Sequence, residues 1–226
     1  MKEKRDLLTG VGLISAFALW TVLIQCVDVQ PVGQKGTNIG FAAFNVWFHQ
    51  LTGVHMTLYT VTDWLGLVPI FICLCFGILG FVQLVKRRNL LRVDKDIIIL
   101  GVYYVIVIAF YLIFEMIPVN YRPVLIDGRL EASYPSSTTL LVLSVMPTLW
   151  FQINRRAENL LFRKAATVFA IIFSVFMAMG RLISGVHWGT DIVASLLLSA
   201  GLFMLYKAAV RSTDRVKLSD GSKNGI

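Results

Sequence analysis

The chain has 226 residues, 57% of them hydrophobic and 15% charged, with a mean hydropathy of +0.73. Soluble domains carry about a quarter charged residues, so this composition excludes an ordinary soluble domain and points to an integral membrane protein. The net charge of +8 gathers into no basic domain, which leaves nucleic-acid binding without support.

Uncharged runs at 7–27, 64–85, 97–114 and 135–154 are each close to the ~18–20 residues that span hydrocarbon. Two shorter runs, 165–180 and 192–206, reach that length if 182–185 and 188–190 extend them. The expected architecture is all-α, with six transmembrane helices. The first run is longer than a signal-peptide core and no small-x-small cleavage pattern follows it, so it reads as a retained span. The segment 28–63 is the longest loop. Within it the apolar, aromatic stretch 41–53 reads either as an interfacial helix or as a loop packed over the bundle. Pro147 lies inside the fourth run and predicts a kink there. Cys26, Cys73 and Cys75 match neither a disulfide framework nor a zinc site and read as small residues of the membrane core. Residues 1–210 form one domain, and 211–226 read as a polar, disordered cytoplasmic tail.

Lys and Arg set the orientation. They cluster before the first run (Lys2, Lys4, Arg5), between the second and third (Lys86, Arg87, Arg88, Arg92, Lys95) and between the fourth and fifth (Arg155, Arg156, Arg163, Lys164). A last group follows the sixth (Lys207, Arg211, Arg215, Lys217, Lys223). Only Lys35, Arg122, Arg129 and Arg181 remain for the other side. The positive-inside rule then predicts both termini in the cytoplasm, and the two chemically dense loops on the outer face.

One of these loops contains GRLISGVHWGTD. It sets Arg181, His187 and Asp191 around the short gap between the last two runs. If a helix begins near His187, then His187 and Asp191 are i and i+4 on one face. The carboxylate can hold one ring nitrogen and leave the other as a nucleophile or base. The other loop holds Arg122, stiffened by Pro123 and suited to bidentate phosphate contact, and the sequence YPSSTT. Ser136 or Ser137 can cap a helix whose free N–H groups make an anion site. Taken singly, the serines are caps and the arginine a headgroup contact; taken together on one face, they form a shared anion site.

From about residue 97 to 208 the chain resembles the membrane branch of the type 2 phosphatidic acid phosphatase superfamily. That family reads Lys-x6-Arg-Pro, Pro-Ser-Gly-His and Ser-Arg-x5-His-x3-Asp at the outer ends of a six-helix bundle. The matching positions here are Glu115-x6-Arg122-Pro123, Pro135-Ser136-Ser137-Thr138 and Gly180-Arg181-x5-His187-x3-Asp191. The resemblance implies that His187 is a nucleophile forming a phosphohistidine and that Asp191 orients it. Arg122, Arg181, Ser136 and the N–H groups near Ser137 would cradle phosphate. It implies neither metal nor cofactor, a lipid phosphate or diphosphate as substrate, and a place in a bacterial plasma membrane.

Three positions depart from the motifs. Ser137 replaces glycine, Thr138 replaces the histidine that protonates the leaving oxygen, and Glu115 replaces lysine. A threonine hydroxyl is too weak an acid for that task. An alkoxide, whose conjugate acid has a pKa near that of water at about 15.7, needs such help; a departing phosphate, with a second pKa of about 6, needs little. The sequence therefore favours lipid diphosphates, prenyl diphosphates among them. Glu115 is read either as a protonated acid in place of the histidine or as an ionised partner of Arg122 or Arg181, and the pairing is preferred because a guanidinium favours the carboxylate. His49, His55 and Asp63 receive no role. Asn120 and Tyr121 are candidates to touch substrate, and Asp127, Arg129 and Glu131 read as a solvated loop. Two rivals stand beside the phosphatase: a lipid phosphotransferase, and an impaired member that binds anionic headgroups without turnover.

Overall fold

The structure is a computed structural model that describes residues 2–223, with side chains placed through Arg215. Eight α-helices follow one another: α1 (Lys2–Cys26), α2 (Ala42–Thr52), α3 (Met56–Leu65), α4 (Leu67–Arg87), α5 (Lys95–Met116), α6 (Ser137–Arg156), α7 (Leu160–Ile183) and α8 (Gly189–Lys223). No β-strand forms among the described residues; the exceptions to helix are short turns and isolated bridges.

Five segments are long and apolar enough to cross a membrane: Lys2–Cys26, Met56–Arg87, Lys95–Met116, Leu160–Ile183 and Gly189–Arg215. The second is α3 and α4 in tandem, joined at Gly66. The chain is thus a multi-pass helical membrane protein. Helix α6, with 20 residues, is long enough to span at 1.5 Å per residue but is less apolar than the other five. Its position explains why. It packs against α4, α5, α7 and α8, so Thr139, Ser144, Thr148 and Gln152 are buried among other helices rather than facing lipid. Helix α6 runs through Pro147 as one element. In the turn before it, the Ser144 carbonyl accepts from the Tyr103 hydroxyl at 3.1 Å, which ties α6 to α5.

Helices α1 and α8 form the most extensive pair of the bundle. Phe17 and Ile24 of α1 and Leu198, Leu202 and Tyr206 of α8 share a core with Leu100, Tyr103 and Val107 of α5. Helix α8 does not stop at residue 210: it continues to Lys223, so the segment expected as a disordered tail is helical as far as it is described. Arg211 and Asp214 in that extension pair with Asp6 and Arg155. Cys26 and Cys75 are exposed on the bundle surface and Cys73 is partly buried.

Three connections meet at one pole. The first is α2–α3. Helix α2 confirms the helical reading of 41–53: Ala42 and Asn45 are buried, while Phe44, Trp47 and Leu51 are exposed. Asn45 donates to Gly40 O at 2.9 Å and to Thr190 Oγ1 at 3.0 Å, which ties α2 to the start of α8. The second is the 117–136 connection, a small hairpin. Asp127 and Gly128 both take positive φ, 48° and 72°, at its tip, as a two-residue Asp-Gly turn requires. The third is the α7–α8 turn, where Gly185 sits at φ 71°. A Cβ on Gly185 would lie 2.1 Å from Gly53 O, so only glycine lets this turn rest on the end of α2.

Candidate active site

The hairpin places the first group of polar residues. Arg122 N donates to Glu131 O at 3.1 Å and Ser133 N to Asn120 O at 2.9 Å, so Asn120, Arg122 and Ser133 stand side by side at its base. Trp188 Nε1 donates to Tyr121 O at 2.8 Å and fastens the hairpin to the α7–α8 turn. His187 of that turn is thereby brought against Ser133.

His187 precedes α8 rather than lying on it, so the expected helical i, i+4 pairing does not form. Asp191 is the third residue of the helix, and its Oδ2 accepts from Trp188 N at 2.9 Å, a capping contact from that position back to the residue before the helix. Its carboxylate stands 3.9 Å from His187 Nδ1, beyond hydrogen-bond reach. Ser133 bridges the gap: its hydroxyl donates to Asp191 Oδ2 and lies 3.2 Å from His187 Nδ1. Asn120 Nδ2 adds a long contact of 3.4 Å to Asp191 Oδ1.

His187 Nδ1 also lies 3.1 Å from the Ser133 carbonyl, which can only accept. This assigns the proton to Nδ1 and leaves the lone pair on Nε2. Burial, followed by the positive charges of Arg122 and Arg181, holds the imidazole pKa well below 6.5. The ring is neutral at physiological pH, and its Nε2 is buried without a partner among the described residues.

Arg122 and Arg181 both lie against the ring of Tyr59 on α3, their guanidinium carbons 5.7 and 4.8 Å from its centroid. Arg181 is the largest fully buried side chain of the protein among those described. Its Nη2 donates to Asp63 Oδ1 at 2.7 Å and to Thr138 Oγ1. Arg122 Nη2 stands 3.3 Å from Glu131 Oε2. Among the described residues, four buried nitrogens of this cluster have no partner: Arg122 Nη1, Arg181 Nε, Arg181 Nη1 and His187 Nε2. A buried polar group left unmet costs about 1–3 kcal/mol, so such a cluster marks a place built for something other than stability.

The remaining positions divide. Ser136 is buried before the first residue of α6; its hydroxyl lies 2.9 Å from Thr139 Oγ1 and caps no N–H. The first-turn N–H groups of α6, from Ser137 on, therefore keep the orphan character of a helix start. Glu115 corrects the expectation. It is exposed at the end of α5, forms no ion pair among the described residues, and borders a small recess with Phe114, Tyr134 and Ser137. Helix α5 ends at Met116 before the hairpin begins, and the arginines take Glu131 and Asp63 instead. Glu131, read as part of a solvated loop, and Asp63, left without a role, are the carboxylates that pair with the two arginines. Gly180, where the resembling motif has serine, is where α3 crosses α7: a Cβ there would come within 2.7 Å of Thr62. His49 holds the Gly185 carbonyl at 3.2 Å and is a tie for the turn.

Beside the cluster a cavity of about 530 Å³ opens between α4, α5 and α6. Asp63, Ser137 and Thr138 line its polar end; Leu67, Ile70, Val107 and Leu141 line the rest. It offers an apolar space whose polar end holds Asp63 and Thr138, the two partners of Arg181.

Residues 110–214 match the sequence model of the PAP2 superfamily. That stretch, a little under half of the chain, is similar to the PAP2 superfamily. A solved structure described as a transmembrane PAP2-type phosphatidylglycerolphosphate phosphatase from Bacillus subtilis superposes with a TM-score of 0.65 at 17% identity, covering 90% of this chain and 96% of that one. At that identity the likeness establishes the fold. No curated protein sequence matches the chain.

Proposed function

We propose that this chain is a PAP2-superfamily lipid phosphate or diphosphate phosphatase working through a phosphohistidine. The observation that carries this reading is the set of unpaired buried nitrogens, those of two arginines that share one aromatic ring and the Nε2 of a neutral histidine. His187 attacks phosphorus with Nε2. Asp191 acts on it through Ser133, holding the tautomer and offsetting the positive charge that forms on the ring. Arg122, Arg181 and the start of α6 at Ser136 and Ser137 bind the phosphate oxygens, where charge spreads in the transition state. The apolar cavity takes the hydrocarbon of the substrate.

The bundle has six spans, α6 included, with both termini in the cytoplasm and the site at the outer face of a bacterial plasma membrane. The distribution of Lys and Arg supports that orientation. Thr138 donates no proton to a leaving alkoxide, and its hydroxyl is engaged with Arg181, so the preferred substrate is a lipid diphosphate, such as a prenyl diphosphate, rather than phosphatidic acid.

One observation favours a rival reading, headgroup binding without turnover: Asp63 and Thr138 already occupy one nitrogen of Arg181. Phosphate release from phosphatidic acid, phosphatidylglycerol phosphate and a prenyl diphosphate, by detergent-purified protein and its His187→Ala variant, decides between them. The proposal predicts release that disappears in the variant and is fastest with the diphosphate. Equal rates on phosphatidate and prenyl diphosphate would refute the leaving-group argument. Headgroup binding with no release would establish the rival.

A further inference from the structure

A two-step transfer through His187 needs a base in its second half, when water attacks the phosphohistidine. The groups around the site can be taken in turn. Thr138 is no base, and His187 carries the phosphoryl group. Asp191 is fully buried and already accepts from Ser133, Trp188 and Asn120. Glu131 belongs to Arg122 on the hairpin side, and Glu115 forms no ion pair with either arginine among the described residues, bordering a recess with Phe114, Tyr134 and Ser137 instead. Asp63 remains. Its side chain is 58% exposed, and one oxygen, Oδ1, is fixed by Arg181 Nη2 at 2.7 Å. It shares that nitrogen with Thr138 and lines the polar end of the cavity. Its open face gives a proton taken there a way out to solvent.

We propose that Asp63 is the general base that activates the hydrolytic water. The inference rests on the phosphatase reading of the site. In the first step His187 Nε2 bonds to phosphorus as the bond from phosphorus to the leaving oxygen breaks, and the leaving phosphate departs unprotonated. In the second, the water oxygen bonds to phosphorus and the Nε2–phosphorus bond breaks. Nε2 recovers its lone pair and Asp63 takes the water proton. Inorganic phosphate leaves, and the Asp63 carboxyl returns its proton to solvent. The missing acid at Thr138 and the carboxylate at Asp63 thus fit one substrate class: a good leaving group needs no acid, while the covalent intermediate still needs a base.

The test is rapid-quench kinetics on the full chain with a prenyl diphosphate labelled at the terminal phosphate. Asp63→Asn keeps a first-turnover burst of lipid product, loses roughly 10²-fold or more in steady-state phosphate release, and accumulates label on His187; Asp63→Glu retains most of the turnover. Asp63→Ser, which is smaller and can still meet Arg181, repeats the measurement if the asparagine variant does not fold. Steady-state release at the wild-type rate overturns the proposal. So does a folded variant that loses the burst together with turnover, because Asp63 would then only position Arg181. If the wild-type protein itself releases no phosphate, the phosphatase reading falls and this inference with it.

Discussion

The two poles of the bundle use the same residue types to opposite ends. At the pole where α1 begins, arginines at the helix ends are paired with carboxylates. Arg156 bonds Asp94 and Asp96 at 3.0 and 2.8 Å, Arg155 bonds Asp214 at 2.8 Å, and Arg87 bonds Asp94 at 2.8 Å. Asp6 is paired with Arg211 and Lys207. Burial pushes the Asp94 pKa up, but Arg87, Arg156 and Gln83 outweigh it and hold the carboxyl at about 2. At the pole with the hairpin, two arginines are more deeply buried and less completely paired, around a histidine kept neutral. The first arrangement is a structural clamp between helix ends; the second holds positive charge in reserve for an anion.

Substitutions at the two poles sharpen that contrast. The largest effect is expected at the nucleophile: His187→Ala lowers phosphate release by on the order of 10⁴-fold or more, measured with a lipid diphosphate in detergent. Arg181→Lys follows, losing roughly 10²–10³-fold in kcat, because lysine keeps the charge but not the Nε and Nη1 donors. Ser133→Ala removes the bridge between His187 and Asp191 and costs roughly 10²-fold through misplacement of the ring. Turnover unchanged in Ser133→Ala would show that Asp191 acts on His187 directly.

pH gives a further test. The His187 pKa is depressed by burial and the neighbouring arginines, so between about pH 7.5 and pH 6 the folded protein keeps the ring neutral while an unfolded chain protonates it near 6.5. Proton uptake by the unfolded state makes stability fall as pH drops below about 6.5. Thermal unfolding against pH shows a shallower slope in His187→Asn. The smallest effect belongs to the clamp. Arg156→Gln lowers stability by about 0.5–1 kcal/mol and leaves turnover intact. Its pairing with Asp94 is fully present above about pH 4, and this contribution is lost as pH falls through about 2, where Asp94 protonates.

What the sequence made legible was local. Apolar runs located the long helices, and motif spacing singled out Arg122, Arg181, His187 and Asp191. What it hid depended on contacts distant in the chain. Asp63 is 118 residues from Arg181, and no spacing rule joins them; the one visible sign was an acid at the very edge of an apolar run. Ser133 carried no motif signal, and only the hairpin turns it onto His187. Glu115 was misplaced because motif spacing says nothing of where α5 ends, and a helix that ends at Met116 leaves its last carboxylate on the surface. The disordered tail was misread for a related reason: polar residues 211–215 are held in helix by α1 and α6, whose charges meet theirs at the same pole.

The most direct test of the central claim is an acid-quench trap with a lipid diphosphate labelled at the terminal phosphate. The account predicts a phosphoenzyme stable to base and labile to acid, as a phosphorus–nitrogen bond requires, with the label on His187 and none in His187→Ala. Phosphate release that continues in His187→Ala, with no labelled protein in the wild type, would contradict it.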